Sequence, residues 1–97
     1  MENSIKVEFK NLGTPNKNVV TIKGNYGSVN LYFSYKTIVA VNGICSVNDW
    51  SKTTGKLLNE IEPDKSKRVK HEEVLKEVEK QLKRVLFSEK ELIVQNL

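Results

Sequence analysis

One cysteine, one histidine, one tryptophan and two prolines in 97 residues leave several chemistries without material. Cys45 has no second thiol to pair with, so an internal disulfide is excluded and a reducing interior fits best. One Cys with one His (His71) falls short of the usual zinc set unless a carboxylate or a second chain completes it, and no metal or cofactor is expected. The longest apolar stretches, such as 37–41 and 92–94, are far below the roughly 20 residues that span a bilayer. Met1-Glu2-Asn3-Ser4 does not have the make-up of a signal peptide. A protein that stays in the compartment where it is made, the cytoplasm, with no membrane partner, is the expectation.

Catalytic parts are equally scarce. His71 has no serine or cysteine at a readable spacing, and the carboxylates of Glu72 and Glu73 fall at an exposed helix start. Cys45 belongs to a hairpin strand, where burial is commoner than reactivity. An enzyme is therefore the least expected class.

The remaining composition describes a folded domain. With 38% hydrophobic and 29% charged residues and no low-complexity tract, the chain has enough apolar material for one core. Ninety-seven residues make a single domain, 1–97, too small for a second domain and a cleft between the two. The formal charge of +4 permits attraction to nucleic acid but has to be located. Residues 1–48 hold Lys6, Lys10, Lys17, Lys23 and Lys36 against Glu2 and Glu8, whereas the second half is dense in charge and nearly balanced. No concentrated basic face of the kind a strong duplex-DNA binder carries is evident.

Hydropathy alternates with period two through residues 4–10, placing Ile5, Val7 and Phe9 on one face and Lys6, Glu8 and Lys10 on the other, the mark of a half-buried strand. Gly13-Thr14-Pro15-Asn16 turns the chain into a second strand, 18–23. Residues 28–35 alternate again, with Val29, Leu31, Phe33 and Tyr35 on one face. Residues 37–41 and 44–48 flank Asn42-Gly43, a strong hairpin signal because a type I′ turn takes positive φ at both central positions. Four to five antiparallel strands in a meander over 4–49 are predicted.

Past Trp50 the period changes. Leu57, Leu58 and Ile61 have the spacing of a short helical turn closed by Pro63, within a motif loop spanning 50–63. A basic connection, 64–69, leads to an amphipathic helix over 70–87 with Val74, Leu75, Val78, Leu82, Val85 and Leu86 in one stripe and Lys76, Lys80, Lys83 and Arg84 opposite. That stripe needs cover, and the sheet is the available apolar face. The predicted fold class is α+β, an antiparallel sheet packed against one long C-terminal helix. The tail 88–97 opens with a capping-box pattern, Ser88-Glu89-Lys90-Glu91, yet Leu92-Ile93-Val94 would also suit a strand. Packed away from its own core, that apolar end would make a homodimer contact.

The densest functional signal is Trp50-Ser51-Lys52-Thr53-Thr54-Gly55-Lys56-Leu57-Leu58-Asn59. It departs from a phosphate-binding Gly-x-x-x-x-Gly-Lys-Ser/Thr loop twice, since Trp50 stands in the first glycine's place and Leu57 in that of the hydroxyl. Nucleotide hydrolysis is not expected. Hydroxyls and N–H groups at a helix start can still hold one phosphate, although the commoner use of Ser51 or Thr53 is a cap and of Gly55 a backbone conformation. Trp50, Tyr26, Tyr32 and Tyr35 offer stacking surfaces, Tyr32 and Tyr26 being the ones without an evident core duty. Lys65, Lys67, Arg68 and Lys70 form the densest basic run, closely flanked by Glu60, Glu62, Asp64, Glu72 and Glu73.

Residues 34–40, Ser34-Tyr35-Lys36-Thr37-Ile38-Val39-Ala40, followed by the motif from Trp50 to Asn59, resemble a family of small phage, archaeal-virus and prokaryotic proteins of unassigned function. The likeness extends through Arg68 and the final helix. Members of that family commonly have His where Leu57 stands, so no metal or proton-transfer role carries over to that position. The resemblance implies an accessory protein of a virus or mobile element, in the host cytoplasm where viral, and implies no reaction or ligand.

Two classes of function follow. In the first, Trp50, Ser51, Lys52, Thr53, Thr54, Lys56 and Asn59 combine with Lys65, Lys67 and Arg68 to bind a host protein or nucleic acid without catalysis, since scaffolds display function on loops. In the second, the motif only shapes the fold of a structural or oligomer-forming module.

Overall fold

Alternating apolar residues separated by Gly-, Pro- and Asn-containing turns build the first half of the chain. The computed structural model describes residues 5–87. Strands β1 (Lys6–Asn11), β2 (Lys17–Gly24), β3 (Gly27–Ser34), β4 (Thr37–Val41) and β5 (Ile44–Cys45) form an antiparallel sheet in the order β1-β2-β3-β4-β5. Register carries faces across it: Phe9 lies opposite Val20, Val20 opposite Leu31, and Leu31 opposite Val41. Helix α1 (Lys52–Ile61), a 3₁₀ turn (Lys65–Lys67) and helix α2 (His71–Leu86) complete the described chain.

The meander and the α+β class follow the sequence pattern; the cover on the sheet differs from it. Two helices, not one, pack against the strands, and they lie on opposite faces. On one face α2 places Val74, Val78 and Val85 against Val29, Leu31 and Val41, with Ile22, Phe33, Ile38 and Leu82 around them. On the other, Leu57 and Leu58 of α1 close over Val39, Ala40 and Cys45. Burying a side chain of this size contributes about 1.5–3 kcal/mol, so the ten-residue α1 is a full layer and not a single turn. A bulge in β4 makes this two-sided core fit: pairing steps from Phe33–Ile38 to Tyr32–Ala40, passing over Val39, so that consecutive Val39 and Ala40 both join the α1 cluster.

Helix α2 crosses the sheet obliquely. Near its start, His71 Nε2 donates to the Ile38 carbonyl of β4 (2.8 Å). At its end the Val85 carbonyl accepts from Tyr26 N–H (3.4 Å), and Arg84 donates to the carbonyls of Tyr26 and Ser28 (3.3 and 3.0 Å). Arg84, which the sequence placed on a solvated stripe, thus clamps the β2–β3 hairpin. Gly24 permits the approach, because a Cβ there would sit 2.5 Å from the Val85 carbonyl oxygen. On the outer face, Lys83 pairs with Glu79 four residues back (3.0 Å), and Lys76 reaches Glu73 three residues back (3.8 Å).

Three further expectations change. The apolar face of β1 is not half-buried: Ile5, Val7 and Phe9 are 59%, 65% and 69% exposed, because α2 reaches across β4, β3 and β2 and stops short of β1. Of the Asn42-Gly43 pair only Asn42 takes positive φ (53°), and its side-chain oxygen accepts from Asn30 N–H, binding the β4–β5 turn to β3. Tyr35 leaves the apolar face of β3 altogether, as it occupies the next turn with φ 56° and is exposed. The expectations for the tail, a helical turn or strand and a homodimer contact at 92–94, lie outside the described residues.

Candidate partner-binding site

Beyond β5 the chain continues in extended form and meets the segment that leads into α2. Ser46 and Val69 form a parallel bridge, with Val47 N–H donating to the Val69 carbonyl (2.7 Å) and Val69 N–H to the Cys45 carbonyl (2.9 Å). This bridge pins both ends of the α1 excursion, so residues 48–68 form one closed loop at this margin of the sheet.

The loop opens with a side-chain turn. Asn48 Oδ1 accepts from Trp50 N–H (3.0 Å) while its Nδ2 donates to the Ser51 carbonyl (3.0 Å), fixing the chain before the helix. Ser51 then caps α1, its hydroxyl oxygen accepting from Thr54 N–H (3.2 Å). The Thr54 hydroxyl turns inward and shares a buried 2.7 Å hydrogen bond with Ser34 of β3. Gly55 leaves room for the Asn48 carboxamide: a Cβ there would lie 2.9 Å from Asn48 Nδ2 and would push that side chain aside. One turn further on, Asn59 Oδ1 accepts from an Arg68 terminal nitrogen (2.6 Å), and Arg68 Nε donates to the Glu62 carbonyl (3.0 Å). The guanidinium therefore ties the C-terminal end of α1 to the returning strand.

These ties leave a cleft of about 310 Å³ lined by Val47, Asn48, Gly55, Asn59, Lys65 and Arg68. Its lining holds two carboxamides and two cations and no carboxylate. Asp64, which caps the 3₁₀ turn, is engaged by Ser66, which donates to it through its hydroxyl (2.6 Å) and its N–H (3.0 Å), and these bonds hold the carboxyl below its ordinary pKa. Below the loop, burial pushes the Cys45 thiol up, partly offset by the Arg68 charge. That is the setting of an inert thiol and not of a nucleophile.

The sequence-predicted site residues separate into three groups. Asn59, Lys65 and Arg68 come together in the cleft. Lys52, Thr53, Lys56 and Lys67 are exposed and outside its lining, and Trp50, 39% exposed with its ring edge-on to His71 (centroids 5.0 Å apart), lines a separate depression with Tyr35 and Thr37. Ser51 and Thr54 are engaged within the chain, Thr54 at 2% exposure. Tyr32, expected to be open for stacking, is half-buried against the α1 cluster, whereas Tyr26 is 44% exposed. Sequence reasoning missed Asn48, whose place two residues before Trp50 is an Asx-turn signal, and the Ser34–Thr54 pair, which no local spacing reveals.

Taken together these features define a small α+β module: a five-stranded meander with a helix on each face and a polar cleft where the α1 loop closes. Among the described residues no group of three or more His, Cys, Asp and Glu is placed to hold a metal ion, and no helix is long and apolar enough to cross a membrane. A model of the family of unknown function DUF8033 matches residues 7–77, most of the chain and all of the cleft, and the protein belongs to that family. The chain matches no curated protein and no solved structure.

Proposed function

We propose that the protein is a small accessory binding protein of a virus or mobile element, acting without catalysis. The cleft between α1 and the 3₁₀ turn receives an anionic group of a host protein or nucleic acid. The observation that carries this reading is the cleft's lining: Asn48, Asn59, Lys65 and Arg68 with no carboxylate among them, although the segment is rich in acids. Arg68 is held in place by Asn59 and the Glu62 carbonyl before any partner arrives, which lowers the ordering cost of binding. Exposed Lys52 and Lys56 stand one turn apart on α1, at helical spacing from Gly55 and Asn59 of the lining, and add positive charge on that side. The viral setting rests on the motif from Trp50 to Asn59.

Binding to labelled single- and double-stranded oligonucleotides at two salt concentrations tests the nucleic-acid form. Salt-sensitive binding reduced by Lys65→Ala and Lys56→Ala supports it. Salt-insensitive or absent binding removes it and leaves the host protein, sought by capture from host lysate with the same variants as controls.

A second reading, a structural module in which the motif has no ligand, is favoured by one specific observation. Ser51, Thr54 and Asn59 already have partners inside the chain. On that reading, substitutions at Lys52, Lys56 and Lys65 leave the biological effect intact, whereas Thr54 and Ser51 variants lose it together with the fold.

A further inference from the structure

The sheet has two margins, treated differently. Beyond β5 the chain is closed by the Ser46–Val69 bridge, whereas β1 pairs with β2 alone among the described residues. Such a margin offers a row of unused N–H and C=O groups to another strand.

Which groups face outward follows from the ladder. Leu12 N–H donates to the Lys17 carbonyl, and Tyr35 N–H to the Asn16 carbonyl, which fixes the phase of β2 against both neighbours. Lys6, Glu8 and Lys10 then exchange bonds with β2, and the main chain of Ile5, Val7 and Phe9 points away from the sheet. These are also the residues whose side chains α2 leaves uncovered.

We infer that β1 is the contact with a second copy of this chain, the two strands pairing antiparallel about a two-fold axis at Val7 to make one continuous sheet. In this register Ile5 lies opposite Phe9 of the second copy and Val7 opposite its own equivalent, all at outward-pointing positions. Lys6 falls opposite Glu8 of the second copy, in the non-hydrogen-bonded pairs where side chains stand closest, and Glu8, which holds Lys23 of its own chain through Oε1 (3.0 Å), would take the second cation on its other oxygen. A two-fold axis at Glu8 would instead set Glu8 against Glu8 and Lys6 against Lys10. An axis at Phe9 would oppose Val7 to Asn11. Val7 is thus the centre at which both charge and apolarity match, and the self-complementarity is what an isologous interface requires.

Analytical ultracentrifugation of the full chain tests this. A dimer is expected, weakened about tenfold by Lys6→Glu, which turns both symmetry-related pairs repulsive, and restored when Glu8→Lys is added. Lys6→Glu spares the single chain, because Lys6 lies directly opposite Lys23 and the exchange removes a like-charge pair. Val7→Lys, at a 65% exposed position, is expected to give a folded monomer, with circular dichroism as the check on folding. A monomeric wild type overturns the inference, as does a dimer indifferent to both Lys6→Glu and Val7→Lys, which would move the contact to residues 88–97 or elsewhere.

Discussion

Strands β1 and β3 carry the same pattern and meet opposite fates. Ile5, Val7 and Phe9 alternate with charged residues just as Val29, Leu31 and Phe33 alternate with polar ones, yet Val29 is 1% exposed and Phe9 69%. Nothing local separates them. The difference is the path of α2, which enters over β4 at His71 and leaves over the β2–β3 turn at Val85, one strand short of shielding the whole apolar face. Period-two alternation reports which side chains share a face; whether that face is covered is decided by a helix far along the chain.

The sharpest break of this comparison is a matched pair of truncations. Leu31→Ala is expected to cost about 2–5 kcal/mol in urea unfolding, from lost burial plus the cavity left under α2. Phe9→Ala, though it removes a larger side chain, is expected to cost the single chain under about 1 kcal/mol. Any loss that grows with protein concentration belongs to pairing between copies. Equal losses at both sites would mean that β1 is covered in solution.

Gly24→Ala comes next, since it attacks the contact that sets where α2 ends. Its Cβ would meet the Val85 carbonyl, a backbone atom that cannot swing aside. A cost of about 1–3 kcal/mol is expected in thermal or chemical unfolding, with the Arg84 clamp loosened alongside. A neutral result would mean that the helix end is free to lift.

Adjacent threonines of the motif make a third test. Thr54→Val leaves the Ser34 hydroxyl buried with its partner gone and is expected to cost about 1–3 kcal/mol, whereas Thr53→Val on the exposed side stays within about 0.5 kcal/mol. Comparable effects would contradict the inward orientation of Thr54.

What was legible in the sequence divides along the same line. The strands of the meander were readable because alternation and turn residues are local signals. The range of α2 was readable because its stripe persists over several turns, through Val74, Val78, Leu82 and Val85. Helix α1 gives only the signal of a short turn: its buried face begins with the polar Thr54, so Leu57, Leu58 and Ile61 alone carry the pattern. The cleft was half legible. Asn59, Lys65 and Arg68 stood out as motif or basic residues, but their meeting depends on the parallel Ser46–Val69 bridge, a contact between segments with no pattern in common. The engagement of Ser51 and Thr54 within the chain could not be separated from ligand binding by residue type, since a hydroxyl that caps a helix and one that holds a phosphate look alike in sequence.

The smallest effect expected is a dependence of stability on pH, with opposite signs in the covered and uncovered parts. Cys45 is 1% exposed beneath α1, and burial raises its thiol pKa. The folded state thus favours the protonated thiol, so stability is full below the ordinary thiol pKa of about 8.5 and falls as pH rises from there through the higher folded value. Asp64 is exposed on the 3₁₀ turn, and the Ser66 bonds lower its carboxyl pKa. Its contribution is present above the ordinary carboxylate value of about 3.9 and is lost as pH falls through the lower folded value. Unfolding midpoints followed across pH should show an alkaline decline abolished by Cys45→Ser and a weak acid decline reduced by Asp64→Asn. The alkaline limb is the more telling, because a thiol that titrates and is alkylated at its ordinary pKa in the native protein would mean that α1 does not stay closed over β5, and the cleft built on that closure would lose its floor.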